Sequence, residues 1–322
     1  MNNKIREIAI ISGKGGTGKT SVSGSLGFIT KNKIMVDCDV DAADLHLILK
    51  AETRTTKEFI GGQKAEIIEA ACTDCGICTD YCRFDAVKER PEVHNGSNTN
   101  KYIDDIACEG CAVCAEFCPE DAIKMKDHVS GNWFISQTKY GPLVHAKLGI
   151  AEANSGKLVS VLRKAARAIA TKNRQDLILI DGSPGIGCPV IASLTGIDYA
   201  LIVSEPTVSA LHDMQRLIEL TEHFGIKTGV CINKYDVNPG LCDKMEKFVT
   251  PKNIKILSRI PYDTDFIKAQ IAGVPYAEYK ADGAKLVTEL WESINKDMNH
   301  NASDRYSDRK ENVQFNKINK EH

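Results

Sequence analysis

The fold is decided by the opening stretch Ile5-Arg-Glu-Ile-Ala-Ile-Ile-Ser-Gly-Lys-Gly-Gly-Thr-Gly-Lys-Thr20. Residues Ile5 to Ile11 form a short apolar run with β-branched side chains, bounded by glycines, which predicts a buried parallel strand. Ser21 to Ile29 reads on as a helix. Between them, Gly13 to Thr20 fits the pattern G-x-x-x-x-G-K-[ST]. Gly13, Gly15, Gly16 and Gly18, with Thr17 among them, let backbone N–H groups curl around phosphate oxygens, and the helix N-terminus adds partial positive charge. Lys19 is expected to reach the β- and γ-phosphates, and the Thr20 hydroxyl to bind Mg²⁺. A chance glycine turn would lack the strand before it and the helix after it.

Working outward, the alternation continues. Strands are expected at 33–37, 176–181, 199–204, 227–232 and 254–260. Helices are expected at 42–49, 158–170, 208–224 and 283–294. This order predicts an α/β fold, a parallel sheet with helices on both faces. The chain has 322 residues, with 41 Lys+Arg against 43 Asp+Glu and 43% hydrophobic residues. That composition excludes wholesale disorder and argues against a strongly basic nucleic-acid binder. The N-terminus lacks the apolar region of a signal peptide, and no apolar run approaches the ~18–20 residues needed to span a bilayer. A soluble, cytoplasmic protein with no membrane or nucleic-acid partner is expected.

The composition changes between about 66 and 127. Cys72-x₂-Cys75-x₂-Cys78-x₃-Cys82 returns 36 residues later as Cys108-x₂-Cys111-x₂-Cys114-x₃-Cys118-Pro119, so eight of the twelve cysteines lie in a duplicated segment. In a reducing compartment, such clustering points to metal or redox chemistry rather than disulfides. Zinc sites usually show two separated pairs, not this repeated run. The spacing resembles that of bacterial ferredoxins carrying two 4Fe–4S clusters. By that resemblance, Cys72, Cys75, Cys78 and Cys118 hold one cluster, and Cys108, Cys111, Cys114 and Cys82 hold the other. Arg83 stands where ferredoxins usually have proline after the fourth cysteine. The expected organisation is a discontinuous nucleotide-binding domain (1–65 and 128–297), an inserted small α+β ferredoxin domain (66–127) and a flexible tail (298–322).

Lys14 is a second lysine inside the phosphate loop. The form Lys-Gly-Gly-x-Gly-Lys-Thr resembles the MinD/ParA/Mrp and nitrogenase iron protein group of P-loop ATPases. That resemblance implies ATP-dependent dimerisation, with Lys14 reaching across to the partner's nucleotide. It further implies that Asp39, in Val36-Asp-Cys-Asp-Val-Asp41, orients the attacking water, and that Asp37 lies near the Mg²⁺ shell. Asp181, in Asp181-Gly-Ser-Pro-Gly-Ile-Gly187, would hold Mg²⁺ through water. Asn233 and Pro261 would meet the adenine, although Asn-Lys-x-Asp is shared with GTPases and does not itself exclude guanine.

Cys188 follows Asp181 by seven residues. A cluster ligand of the nitrogenase iron protein has the same offset, so Cys188 is either a bridging thiol at a subunit boundary or a small residue in a tight loop. Cys38, Cys231, Cys242 and His145 are expected to be structural. Together these readings imply an ATPase coupling nucleotide state to iron–sulfur chemistry. Its output would be gated electron transfer, or assembly and delivery of a metallocofactor to a client, and its dimer partner a second copy or a paralogous ATPase. The alternative is a MinD- or ParA-like spatial switch with structural or redox-sensing clusters.

Overall fold

The structure is a computed structural model that describes residues 4–91, 98–149, 152 and 155–318, with side chains described up to residue 299. Most of the polar loop expected at 94–100, and the last four residues of the expected tail, lie outside the described residues. The chain forms two compact units. One comprises Met1–Thr56, Phe134–Lys147 and Ser155–His322, and the other Lys57–Trp133 and Leu148–Asn154.

The first unit opens with β1 (Arg6–Ser12), α1 (Lys19–Ile29), β2 (Lys33–Asp37) and α2 (Leu45–Ile48). The chain then enters β3 (Glu52–Ile67), whose later residues belong to the second unit. That unit adds α3 (Ile77–Tyr81), β4 (Val87–Glu89), β5 (Lys101–Ile103), α4 (Val113–Glu116) and most of β6 (Ile123–Thr138). The path returns through β7 (Gly141–Leu148) to α5 (Ser155–Asn173), β8 (Leu177–Pro184), α6 (Cys188–Leu194), β9 (Tyr199–Ser204), α7 (Val208–His223) and β10 (Thr228–Asn233). It closes with α8 (Pro239–Val249), β11 (Lys255–Ile260), α9 (Asp265–Ala272), α10 (Tyr276–Tyr279) and α11 (Ala281–Ile318).

The sheet runs β11-β10-β9-β1-β8-β2-β7-β6-β3, with parallel pairing from β11 through β7. Alternation along β1 explains its burial on both sides. Ile8 and Ile10 join a core with Val22 and Leu26 of α1 and Leu290 and Ile294 of α11. Ile11 lies against Gly182, which in turn lies against Ser193 of α6. Glu7, buried on the same strand, receives Arg163 of α5 at 2.6 Å and Arg167 beside it. Among the described residues no helix is long and apolar enough to cross a membrane.

Two boundaries differ from expectation. The second unit is wider than 66–127, because β3 and β6 are 16-residue strands. The first seven residues of β3, Glu52–Glu58, are exposed and polar, so they carry no apolar run. α11 also runs to Ile318, through a stretch expected to be an aperiodic tail. No glycine or proline interrupts it after Gly283, and Lys, Glu, Gln and Arg are adequate helix formers.

The second unit repeats itself in its backbone. Left-handed residues Asp74, Gly76 and Asp85 match left-handed Gly110, Ala112 and Asp121, each pair separated by the 36-residue offset of the sequence repeat. Ala112 adopts at φ 63° the conformation that a glycine supplies in the first copy. A small core of Ala65, Ile67 and Ile123 packs against Cys72, Cys78, Cys108, Cys114 and Cys118. Cysteine side chains therefore make up much of the unit's packing.

His145 of β7 is buried in the first unit, stacked on His46 at 5.1 Å and Phe134 at 5.0 Å, with Nε2 2.8 Å from the Ser136 hydroxyl. Burial, then the neighbouring His46, lowers its pKa to about 4. The folded state thus refuses a proton that the unfolded chain accepts at about 6.5. Stability from this site is full above pH 6.5 and falls as pH drops towards 4. With allowance for solvent screening, urea titrations at pH 4.5 and 7 should show wild type losing about 2 kcal/mol more than His145→Gln.

Candidate functional site

The loop Gly13–Thr20 leaves the carboxyl end of β1 and feeds α1, as a parallel α/β sheet requires of a ligand crevice. Gly16 and Gly18 have φ of 80° and 90°, which a side chain would strain. Two glycines are also fixed by close approach. A Cβ at Gly13 would lie 2.2 Å from Cβ of Asp213 on α7, and one at Gly18 would lie 2.3 Å from Nδ2 of Asn233.

Lys19 is 6% exposed, and its ammonium is the centre of the site. Nζ lies 2.9 Å from Asp181 Oδ1 within β8, 3.6 Å from Asp39 Oδ2 and 3.2 Å from the Thr20 hydroxyl. Burial alone would lower its pKa, but Asp181, Asp37 and Asp39 together raise it. Asp37, fully buried at the end of β2, accepts from the backbone N–H of Asp39 and of Leu45, each at 3.1 Å. Burial first, then the Asp181 charge, holds Asp37 well above the usual carboxylate range. Asp39 is raised as well, chiefly by burial.

The donor set fits a magnesium nucleotide. Three carboxylates and a threonine hydroxyl gather beside the phosphate loop, hard oxygen ligands of the kind Mg²⁺ prefers. Asp181 Oδ2 is buried with no hydrogen-bond partner, while Oδ1 accepts from Lys19 and, at 2.8 Å, from Ser23. A buried carboxylate oxygen left without a partner calls for an explanation, and a bound cation would supply one. The two acidic loops are stitched together. Cys38 N donates to Asp181 O at 2.8 Å, Ser183 Oγ to Cys38 O at 2.6 Å, and Gly185 N to Ser12 O at 2.9 Å.

The structure gives other residues more specific positions than their sequence did. Asn233 Nδ2 donates to Thr17 O at 2.8 Å and Oδ1 accepts from Lys234 N, so its amide braces the phosphate loop. Lys14 reaches Glu205 at 2.8 Å and the hydroxyls of Thr207 and Ser209 at 3.0 and 3.4 Å, all within the chain. Lys234 bonds the same Glu205 and also Gly16 O. Pro261 follows β11, one residue before Tyr262, whose N–H donates to Asp236. Ser23 and Glu205 escaped the sequence reading. Ser23 lies one turn after Lys19, and Glu205 directly follows a buried strand, a signal too common in parallel sheets to single it out.

Cys188 begins α6 and is exposed, with its Cβ 3.1 Å from where a Cβ at Gly156 would stand. Cys38, Cys231 and Cys242 are buried, and burial raises each thiol, Cys231 to about 12. Such thiols stay protonated and unreactive.

In the second unit the eight remaining cysteines sort into two cavities. One is lined by Cys72, Cys75, Cys78 and Cys118, the other by Cys82, Cys108, Cys111 and Cys114. The fourth cysteine of each run thus lies at the other run's cavity. Cys82 Sγ accepts from Ala86 N, and Cys118 Sγ from Ala122 N, each at 3.3 Å. Burial raises the Cys78 thiol, and raises Cys114 to about 11 with help from Cys108 and Cys111. Among the described residues, no three His, Cys, Asp or Glu side chains converge as a site for a single metal ion.

Fold and phosphate loop together define a P-loop nucleotide-binding protein. The family model CbiA, the CobQ/CobB/MinD/ParA nucleotide-binding domain, matches residues 8–276, and the chain belongs to that family. An uncharacterised protein of Methanocaldococcus jannaschii is 35% identical over 298 residues, covering 90% of this chain and 96% of its own. The septum site-determining protein MinD of Bacillus subtilis is 23% identical over 279 residues, covering 84% and 81%. Among solved structures, MinD of Pyrococcus horikoshii complexed with Mg-ADP superposes with a TM-score of 0.55 at 19% identity, covering 91% of this chain and 96% of that one. A chain of the Aquifex aeolicus MinC:MinD cell division protein complex gives 0.55 at 17% identity, covering 90% of this chain and 96% of that one.

Gly18→Ala combines a strained φ with a collision against Asn233, so it tests the loop directly. Isothermal titration should show MgATP binding weakened by about 100-fold, some 3 kcal/mol, with the thermal transition of the apo protein moved far less.

Proposed function

We propose that this chain is a dimerising ATPase whose nucleotide state is coupled to two 4Fe–4S clusters held by its second unit. The observation that carries this reading is the sorting of eight cysteines into two four-cysteine cavities with the fourth cysteine of each run exchanged, inside a chain of the CobQ/CobB/MinD/ParA family. Four thiols spread around a cavity suit a polynuclear cluster, whose ligands bind different irons, better than one ion. The backbone N–H groups of Ala86 and Ala122 on Cys82 and Cys118 are the kind of outer contact that tunes thiolate ligands. When bound, such clusters supply one-electron chemistry at low potential.

In the nucleotide unit, Lys19 binds the β- and γ-phosphates. Thr20, Asp37 and Asp181 hold Mg²⁺ directly or through water, and Asp39 orients the attacking water. Asn233 and Pro261 border the base, with ATP as the nucleotide. Lys14, released from Glu205, extends to the nucleotide of a partner, a second copy or a paralogous ATPase. Cys188 lies beside the second acidic loop and is a candidate thiol for that interface. The output is gated electron transfer, or delivery of a cluster to a client protein.

Two measurements test this. Protein purified anaerobically should carry about eight iron and eight labile sulfides per chain. Cys82→Ala should remove the signal of the cluster assigned to Cys108, Cys111 and Cys114; loss of the other signal instead would refute the crossover. ATP turnover should differ at least several-fold between dithionite-reduced and oxidised protein and drop about 100-fold in Asp39→Ala. If iron is present but turnover ignores redox state, coupling is refuted and a MinD-like spatial switch with structural clusters takes its place.

A further inference from the structure

Tyr81 and Phe117 stack face to face on the second unit, with ring centroids 4.6 Å apart and planes 4° from parallel. They occupy equivalent positions of the 36-residue repeat, and each is followed at once by the cysteine that crosses to the other cavity, Cys82 or Cys118. Tyr81 lines the cavity of Cys82, Cys108, Cys111 and Cys114, while Pro119 and Glu120, just past Phe117, line the other. The pair therefore spans the ground between the two cysteine sets. Yet the rings remain 49% and 52% exposed, and Phe84 beside them is 44% exposed. Two stacked, half-exposed aromatics are unusual on a small domain that needs apolar area for its own core.

The surroundings are acidic. Residues 71–88 and 107–124 together carry seven carboxylates and three basic side chains. Asp80 and Glu116, each directly before an aromatic of the pair, are exposed and form no ion pair with a described residue. Acid–aromatic–cysteine thus occurs twice, as Asp80-Tyr81-Cys82 and Glu116-Phe117-Cys118. An apolar centre with a charged rim is the anatomy of a transient protein interface, and its sign selects the partner's.

We infer that the Tyr81–Phe117 pair is the docking surface for a redox protein that presents basic residues around an apolar, redox-active edge. This rests on the iron–sulfur reading above. One electron passes from a reduced cluster of this chain to the oxidised centre of the docked partner, so the cluster is oxidised and the partner reduced by one.

Cytochrome c, basic with an exposed haem edge, serves as the probe. Titration of anaerobically purified, full-length protein with zinc-substituted cytochrome c at low ionic strength reads binding without electron transfer. Phe117→Ser should weaken binding about 10-fold, and Tyr81→Ser likewise. Asp80→Asn with Glu116→Gln should weaken it and flatten its salt dependence. Reduction of ferric cytochrome c by the dithionite-reduced protein should slow in parallel, while reduction of ferricyanide, an anion with no such docking need, stays within twofold. Iron and sulfide content in each variant separates docking from cluster loss. Wild-type binding that is absent, or that the iron-replete variants leave unchanged, overturns the docking surface while the iron–sulfur reading stands. Wild-type protein without iron refutes that reading, and the inference falls with it.

Discussion

A single buried ammonium, that of Lys19, holds the nucleotide site together. It sits where β1, β2 and β8 run side by side, with Asp37 opposite Asp181 in register. Around it stand Asp37 and Asp39 from the end of β2 and Asp181 from β8, two segments distant in sequence. Burial penalises every one of these charges, and their mutual attraction offsets the penalty only while the cation remains. Removing Lys19 would leave carboxylates facing one another out of water, where they would take up protons instead. The same arrangement makes the site responsive. A triphosphate that draws Lys19 towards itself deprives Asp181 and Asp39 of their counter-charge. The carboxylates then need another cation, and the orphaned Oδ2 of Asp181 is placed to accept one. On the proposed reading, both acidic loops would register occupancy of the phosphate loop through this one shared charge.

That dependence explains which parts of the fold were legible. The strand–loop–helix at residues 5–29 was readable because phosphate binding demands glycine at fixed places. The strands 33–37 and 199–204 were readable because burial on both faces leaves continuous apolar runs. The same logic hid β3 and β6. Their burial is intermittent and their residues are largely polar, so pairing rather than apolar patterning sets their length. The helix beyond Met298 was hidden for the opposite reason: it lacks a repeating apolar face, and the sequence reads as a tail although nothing in it breaks a helix.

In the sites, legibility followed covalent spacing. The eight clustered cysteines stood out because their spacing is local, and the structure lines each of two cavities with four of them. Lys14, Asn233 and Glu205 were less legible. Their partners lie some two hundred residues away in the chain, and only tertiary packing decides that Glu205 draws in both Lys14 and Lys234. The acid–aromatic–cysteine repeat went unread in the sequence, because its meaning depends on exposure, which no spacing reports.

Chain order supplies the remaining link between the two chemistries. The second unit is entered from Asp37 and Asp39 through α2, whose first N–H is held by Asp37. It is left through residues 148–154, where Glu152 is anchored to His128 at 2.7 Å. The next element is α5, whose Gly156 abuts Cys188 after the second acidic loop. Of the chain's four crossings between the units, the first follows the Asp37–Asp39 segment by way of α2 and the start of β3, and the last leads into α5. This chain order favours the proposed reading, in which a rearrangement of the carboxylates on nucleotide binding would be passed along the chain towards the cysteine-bearing unit.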